Sequence, residues 1–128
     1  MFDIYSIEGN EANPKYKEII KLDRMLTEAD IPHTTKRALD GWQVCYPVDR
    51  VHGDCVMDAI EHFGSYGHER DELEIMGLLT PKEEEDDSVL GYLTAEDVFE
   101  RIRKHHSGEW DNYIKSLSKQ TSEETTLN

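Results

Sequence analysis

A predicted β-hairpin around Asp40 and Gly41 constrains the fold of this chain more than any other feature of its sequence. An Asp-Gly pair favours the tight turn that joins two antiparallel strands. Residues 33–38 form a polar strand candidate before the pair, and residues 42–46 form the returning strand, which ends at Pro47. At least part of the chain is therefore predicted to be an antiparallel sheet.

A strand and a helix are predicted before this hairpin. Apolar and polar side chains alternate over residues 2–7, which is typical of a half-buried strand. Apolar side chains then recur every three or four positions over residues 14–29, which predicts an amphipathic helix with Asn13 as its N-cap and Pro14 in its first turn. The order β-α-β-β indicates an α+β fold with a ferredoxin-like start and a small antiparallel sheet.

The rest of the chain is predicted to be mainly helical. Residues 55–62 are ambiguous between strand and helix, but the turn signals at both ends favour a third hairpin-connected strand. Four helices follow in the prediction: residues 69–76, a short helix from Pro81, residues 95–106 and residues 110–117. Thr80 and Thr94 are predicted to cap the second and third of these helices. Polar residues dominate 118–128, which predicts a disordered tail after a single domain over residues 1–117.

Negative charge is concentrated in one third of the sequence. The chain has 28 acidic and 14 basic side chains, for a formal net charge of −14, and 12 of the acidic ones fall within residues 69–100. Such a protein is repelled by nucleic acid and by anionic membranes. A basic protein is therefore the expected partner, and the plain alternative is a solvated acidic face. The candidate partner-binding residues are Glu69, Asp71, Glu72, Glu83, Glu84, Glu85, Asp86 and Asp87.

A second candidate site combines thiol and imidazole groups. Zn²⁺ prefers four such ligands in a tetrahedral arrangement. If Cys45 and Cys55 lie on neighbouring antiparallel strands, their side chains fall close together, and His52 lies in the connection between them. The predicted ligands of a structural zinc ion are Cys45, His52, Cys55 and His68, with His62 as an alternative imidazole. Two half-buried cysteines and a set of surface histidines are the other interpretation.

A third candidate site is the loop Gly64-Ser65-Tyr66-Gly67, which precedes a predicted helix. Glycines allow a backbone to approach a ligand closely, and the start of a helix presents free N–H groups to an anion. The ring of Tyr66 is suited to stacking on a base or hydrogen-bonding to it. No lysine follows the loop, and Arg70 is the one basic residue near it among several acids. The loop is therefore either a small nucleotide site or a plain tight turn.

The sequence also predicts where the protein acts. No part of it approaches the roughly 18 consecutive apolar residues of a membrane span. Its first residues lack the basic and apolar regions of a signal peptide. Two cysteines in such a chain are expected to be reduced thiols. The expected location is the cytoplasm, with no membrane association and no direct binding of nucleic acid.

Four segments carry a family resemblance: Gly64–Gly67 (GSYG), Leu73–Thr80 (LEIMGLLT), Gly91–Ile102 (GYLTAEDVFERI) and Gly41–Pro47 (GWQVCYP). They resemble small proteins of phages and prophages in Gram-positive bacteria. The resemblance covers roughly residues 1–106. It implies a viral accessory protein that acts in the host bacterial cytoplasm, and it carries over no catalytic residue. Small acidic accessory proteins of such phages are often similar to inhibitors of host defence, including anti-CRISPR proteins.

Together these observations predict a binding protein and not an enzyme. The expected function is that of a phage-encoded, anti-CRISPR-like inhibitor of a bacterial defence system, which covers a basic nucleic-acid-binding surface of a host nuclease and blocks DNA or RNA loading. One alternative is a small-molecule sponge that sequesters a nucleotide immune signal at Gly64–Gly67. Another alternative is a small zinc-dependent enzyme. The expected state is a monomer or a small homo-oligomer.

Overall fold

The structure is a computed structural model and describes residues 16–117. The predicted strand over residues 2–7, the predicted helix start at Asn13 and Pro14, and the predicted tail over 118–128 lie outside these residues. The described elements are α1 (Lys17–Glu28), β1 (Thr34–Ala38), β2 (Gly41–Tyr46), β3 (Met57–Glu61), a 3₁₀ helix (His68–Arg70), β4 (Leu73–Met76), α2 (Pro81–Asp86), β5 (Val89–Leu93), α3 (Ala95–Ser107) and the helix α4 over residues 110–117.

The five strands form one antiparallel sheet in which every strand pairs with the next one along the chain, in the order β1-β2-β3-β4-β5. Val44 of β2 lies opposite Ala59 of β3, which in turn lies opposite Ile75 of β4. An antiparallel sheet combined with helices places the protein in the α+β class, as predicted. The ferredoxin-like start is not confirmed in detail, because the first strand of that pattern lies outside the described residues.

Helices cover one face of the sheet. α1 packs against β2, β3 and α3, and its apolar side chains Ile19, Leu22 and Leu26 are fully buried, as the predicted stripe requires. These side chains meet alternating residues of the strands, among them Val44 and Ala59. Burying one large aliphatic side chain contributes roughly 1.5–3 kcal/mol. The contact between α1 and the sheet is therefore a main source of stability.

The predicted hairpin between β1 and β2 is confirmed, but its glycine has a different role. Ala38 lies opposite Gly41 in the strand register, so the loop consists of Leu39 and Asp40 alone. Gly41 belongs to β2, where a Cβ atom on it would come within 1.8 Å of the carbonyl oxygen of Glu61. Glycine is required at this position because β3 approaches the backbone of β2 closely, and not because of the turn.

The helix predicted over residues 69–76 is wrong. A single 3₁₀ turn covers His68–Arg70, and Leu73–Met76 form the strand β4 between β3 and β5. Leu73 and Ile75 are buried whereas Met76 is exposed, which is the alternation of a strand. The spacing from Leu73 to Met76 suits a helix equally well, so pairing with strands on both sides decides the conformation.

Sheet formation also settles two other segments. The third hairpin-connected strand that was favoured within residues 55–62 is confirmed as Met57–Glu61. Val89–Leu93 form β5, for which the sequence gives no strand prediction, because Gly91 interrupts a short apolar run that does not alternate with polar residues. Strands and helices therefore alternate in the second half of the chain, which is less helical than predicted.

The two predicted helix caps are confirmed. The hydroxyl of Thr80 accepts the N–H of Glu83 at 3.3 Å, and the carboxylate of Glu83 accepts the N–H of Thr80 at 2.8 Å. Thr94 and Asp97 make the same pair of hydrogen bonds at 3.1 and 3.2 Å. Each pair is a capping box, which satisfies N–H groups that the first turn of a helix leaves free. α3 ends before Gly108, whose φ of 86° favours glycine.

Candidate functional site

The two cysteines lie close enough to influence each other electrostatically, but Cys55 precedes β3 and does not lie on the strand that the sequence predicts for it. Cys45 is buried on β2, and Cys55 is half-buried in the connection to β3. The Cys55 thiol donates to the carbonyl oxygen of Met57 at 3.1 Å. Burial, followed by the charges of Cys55 and Asp58, raises the pKa of Cys45 to about 11. At neutral pH the Cys45 sulfur is therefore a protonated thiol and a poor nucleophile.

The two predicted histidine ligands are engaged elsewhere. His52 Nδ1 lies 2.7 Å from a carboxylate oxygen of Asp49, which also accepts the His52 backbone N–H at 2.9 Å. His68 lies 3.4 Å from the carboxylate of Glu69. Within residues 16–117, no group of three or more His, Cys, Asp and Glu side chains is arranged to hold a metal ion. Only two of the four predicted ligands are brought together, and the zinc site stays a prediction.

The loop Gly64–Gly67 is a closed turn after β3. The Ser65 hydroxyl accepts the N–H of His62 at 3.1 Å and donates to the His62 carbonyl oxygen at 2.9 Å. Ser65 is buried, so its hydroxyl holds the turn together and does not face solvent. Gly67 has φ 103°, a left-handed conformation that favours glycine. Both features fit the tight-turn interpretation of this loop.

A carboxylate occupies the position where the loop would meet an anion. The backbone N–H of Tyr66 donates to the side chain of Glu74 at 3.0 Å. Negative charge at this point repels the phosphate of a nucleotide. The backbone of Tyr66 is also packed against β5, where a Cβ atom on Gly91 would lie only 2.4 Å from Tyr66 Cβ. These contacts favour a structural turn over a nucleotide-binding loop.

The predicted partner-binding acids form two groups at opposite ends of β4. The first group precedes β4, and the second lies on α2 and just after it. β4 spans four residues, so roughly 10 Å of strand separates the two groups. The first group is Glu69, Asp71 and Glu72, here called the loop acidic surface. The exposed members of the second group are Glu84, Glu85, Asp86 and Asp87, here called the α2 acidic surface.

Glu83 differs from its acidic neighbours because it is bound within the protein. Both of its carboxylate oxygens accept hydrogen bonds from the guanidinium group of Arg101, each at 2.8 Å. Arg101 also donates to the carbonyl oxygen of Leu78 at 2.8 Å. The hydrogen bond from Arg101 holds the pKa of Glu83 below its usual range. Glu83 therefore fixes α2 to α3, and its charge is already neutralised.

Sequence reasoning missed a buried carboxyl group on β3. Glu61 is fully buried in the strand row that also holds Met57 and Ala59. One of its oxygens accepts the backbone N–H of Ile19 in the first turn of α1 at 3.0 Å, and the other has no hydrogen-bond partner among residues 16–117. Burial raises the pKa of Glu61 to about 7, although the hydrogen bond from Ile19 lowers it. The sequence signal that could have revealed it is an acidic residue at a position where the alternation of the strand predicts a core side chain.

A second buried polar cluster joins α1 to β1. One oxygen of Asp23 accepts the hydroxyl of Thr35 at 2.6 Å and lies 3.0 Å from His33 Nε2, while His33 Nδ1 lies 2.8 Å from the carbonyl oxygen of Ile31. Burial lowers the pKa of His33, but the hydrogen bonds to Asp23 and Ile31 outweigh burial and raise it. In a catalytic triad the imidazole lies between hydroxyl and carboxylate. Here the carboxylate lies in the middle, so the hydroxyl is not activated.

Comparisons with known proteins supply no family for this chain. No family model, curated protein or solved structure matched it. None of the helices within residues 16–117 combines the length and the apolar character that crossing a membrane requires.

Proposed function

We propose that this protein works by binding a basic partner protein and not by catalysis. The partner we propose is a nuclease of a bacterial defence system, such as a CRISPR nuclease, whose positively charged channel takes up DNA or RNA. Covering that channel prevents nucleic acid from loading, which is the role of a phage-encoded inhibitor. The observation that carries this proposal is the α2 acidic surface.

The four carboxylates of the α2 acidic surface are available to a partner. All four are exposed, and within residues 16–117 none of them forms an ion pair. A cluster of unneutralised charge raises the rate of encounter with an oppositely charged protein. The same charge competes with phosphate groups for basic side chains, since both are anionic oxygen ligands.

The protein holds this surface in a fixed place. α2 begins with the capping box of Thr80, and the two hydrogen bonds between Glu83 and Arg101 attach it to α3. A charged cluster on a fixed helix loses less conformational entropy on binding than one on a free chain. This supports a role for α2 in presenting its exposed acids to a partner.

The other two functions that the sequence suggests receive less support. The nucleotide sponge requires an anion at Gly64–Gly67, where Glu74 already accepts the N–H of Tyr66. A zinc-dependent enzyme requires more ligands than the pair Cys45 and Cys55. No observation within the described residues favours either function over binding.

The proposal is tested by neutralising the α2 acidic surface without changing its shape. The test variant combines Glu84→Gln, Glu85→Gln, Asp86→Asn and Asp87→Asn. The matched control removes four exposed acids elsewhere and combines Glu28→Gln, Asp30→Asn, Asp54→Asn and Asp111→Asn. Both variants and the parent are titrated against purified RNA-guided CRISPR nucleases from Gram-positive hosts, and target DNA loading is followed by mobility shift.

The parent is expected to bind a nuclease and to reduce DNA loading. The test variant should associate about tenfold more slowly at low salt, with little change in dissociation, because exposed charges act mainly on encounter. The control should associate nearly as fast as the parent. Equal association rates for the test variant and the control would remove the α2 acidic surface from the interface. Failure of the parent to bind or inhibit any nuclease tested would remove the proposed function.

A further inference from the structure

Four large hydrophobic side chains are exposed at one end of the sheet. They are Leu39 at 64%, Phe63 at 57%, Tyr66 at 54% and Tyr92 at 51% exposure, here called the aromatic patch. Leu39 lies in the turn between β1 and β2, and Phe63 and Tyr66 follow the end of β3. Tyr92 lies near the end of β5, which the antiparallel register places at the same end of the sheet.

Hydrogen bonds hold the members of the patch next to each other. The N–H of Phe63 donates to the carboxylate of Asp40 at 2.9 Å, which fixes Phe63 beside the turn that contains Leu39. The N–H of Tyr92 donates to the carbonyl oxygen of Tyr66 at 3.3 Å. The aromatic patch therefore consists of two hydrogen-bonded pairs of segments at the same end of the sheet: the β1–β2 turn with Phe63, and Tyr66 with Tyr92.

Two members of the patch are held in a strained backbone conformation. Leu39 has φ 54° and Tyr92 has φ 63°, in the left-handed region that large side chains rarely adopt. Glycine or asparagine would fit these positions with less strain. Since about half or more of each side chain faces solvent, core packing does not explain the choice of leucine and tyrosine. Strained residues that do not serve the core are candidates for function.

Charge around the patch indicates what binds there. The loop acidic surface is adjacent to it, and Glu74 lies directly under the Tyr66 backbone. The guanidinium carbon of Arg70 already lies 5.7 Å from the centre of the Tyr92 ring. That contact shows that a guanidinium group fits over this ring. Aromatic rings next to carboxylates are suited to arginine, which stacks on the rings and pairs with the acids.

We propose that the aromatic patch, with the loop acidic surface beside it, docks an arginine-rich segment of a basic protein. This inference rests on the proposed function and adds the surface that holds the partner after encounter. Buried aromatic anchors determine how long a complex lasts, whereas exposed charges mainly speed its formation. A second copy of this chain is a poorer occupant, because a symmetric contact would bring the same acids of two chains with net charge −14 together.

The experiment measures binding of an alternating arginine–glycine peptide, with the corresponding lysine–glycine peptide as the comparison. The test variants are Leu39→Asn with Tyr92→Asn, which relieve backbone strain, and Phe63→Ser with Tyr66→Ser. The matched control combines Val51→Ser and Met76→Ser, which removes two exposed hydrophobic side chains outside the patch. Urea unfolding of each variant is measured alongside, and light scattering reports its oligomeric state.

The parent should bind the arginine peptide more tightly than the lysine peptide. Each double variant in the patch should weaken arginine-peptide binding about tenfold, as loss of central aromatic anchors does, and the control should not. The Leu39→Asn and Tyr92→Asn variant should unfold at the same or a higher urea concentration than the parent, since its strain is relieved. A merely structural role predicts the opposite: lower stability with unchanged binding.

Four results would overturn the inference. One is equal binding of both peptides by the parent. Another is arginine-peptide binding that survives both patch variants. The third is a dimer that dissociates when the patch is altered, which would assign the surface to a second copy. Nuclease inhibition that survives the patch variants but needs the α2 acidic surface also contradicts the inference, and it leaves the proposed function intact. Peptide binding that depends on the patch, without any nuclease binding, supports the inference and contradicts the proposed function.

Discussion

Glu61, a residue of β3, attaches the first turn of α1 to the sheet. Tyr16, at the N-cap position of α1, makes no capping hydrogen bond with its side chain. The N–H of Ile19 is instead satisfied by the carboxylate of Glu61, which projects from β3 into the core. The positive end of the α1 dipole stabilises an ionised carboxylate, whereas removing that charge from water on burial destabilises it. The two effects together make stability depend on the charge of a single side chain.

Stability should decrease as Glu61 ionises. The pKa of Glu61 rises from 4.5 in the unfolded chain to about 7 in the folded protein, so the folded state holds the proton more strongly between these values. Its contribution is fully present below about pH 4.5 and is lost as the pH rises through about 7, a change of about 3 kcal/mol. Glu61→Gln should remove this part of the pH dependence, measured by urea unfolding from about pH 5 to 8.

The exposed Glu84→Gln is the matched control for that measurement, because it removes a carboxyl group without altering the core. It should keep the pH dependence of the parent. His33 is partly buried and its pKa is raised, so it also contributes stability that is lost as the pH increases. Part of the pH dependence of the unfolding free energy should therefore remain in the Glu61→Gln variant. A slope identical to that of the parent would contradict the burial of an ionisable Glu61.

The two neighbouring thiols should react at different rates. A pKa of about 11 leaves Cys45 almost entirely protonated at about pH 8, and it is buried as well. Iodoacetamide should label the half-buried Cys55 first in the folded protein and reach Cys45 after unfolding. Peptide mass spectrometry measures both. Equal labelling in the folded state would show that Cys45 is accessible.

Metal analysis of the same protein, purified without chelator or histidine tag, tests the zinc prediction. About one zinc ion per chain is expected if the site exists. In that case Cys55→Ser should lose the metal and both thiols of the parent should resist alkylation. Protein without zinc, together with rapid labelling of Cys55, would show that the zinc prediction is wrong.

At the scale of single elements, two acids on α2 should behave differently although they are adjacent. Glu83→Gln breaks a bidentate pair with Arg101 in which both side chains are largely shielded from solvent. It should cost about 1–2 kcal/mol of unfolding free energy, since hydrogen bonds to charged groups are stronger than neutral ones. The side chain of Glu84 forms no hydrogen bond or ion pair within residues 16–117, so Glu84→Gln should stay within about 0.5 kcal/mol of the parent. Thermal and urea unfolding of both variants measure the difference, and equal effects would contradict the role of Glu83.

The elements that the sequence predicted well are those with local signals. The apolar stripe of α1 and the capping threonines Thr80 and Thr94 act within a few residues, and the structure confirms them. β4 was mistaken for a helix because Leu73 and Met76 fit both periods, and its conformation depends on β3 and β5 on either side. Closeness in the sequence was similarly misleading for the predicted partner-binding surface. The acids of residues 69–100 look continuous, but a strand divides them.

Other parts of the site could not be predicted because their partners are far away in the sequence. Glu83 meets Arg101 only after α2 and α3 pack together, and Ile19 meets Glu61 through the contact of α1 with β3. The aromatic patch likewise depends on the β1–β2 turn, the β3–β4 connection and β5, which only the sheet brings together. Nothing in the residues next to Tyr92 predicts that its side chain is exposed to solvent.

At the scale of the whole molecule, repulsion among like charges should limit stability. The net charge is −14, and salt screens such repulsion over distances longer than the Debye length, about 10 Å at 0.1 M and 3 Å at 1 M. The melting temperature should therefore rise as sodium chloride is added. Neutralising the α2 acidic surface should stabilise the protein by on the order of 0.5 kcal/mol and weaken this salt dependence. Calorimetry in low and high salt measures both, and a salt-independent melting temperature would contradict the expectation.

The sheet order has a consequence for how the chain is made. Because every described strand pairs with its neighbour along the chain, no pairing closes a connection longer than 12 residues, which costs less chain entropy than a pairing between distant strands. Once Met76 has left the ribosome, the first four strands and α1 are all available to pair and pack. α3, which lies against α1, is translated afterwards. The sheet can therefore assemble while the protein is still being synthesised, and α3 then covers the part of the core that was left open.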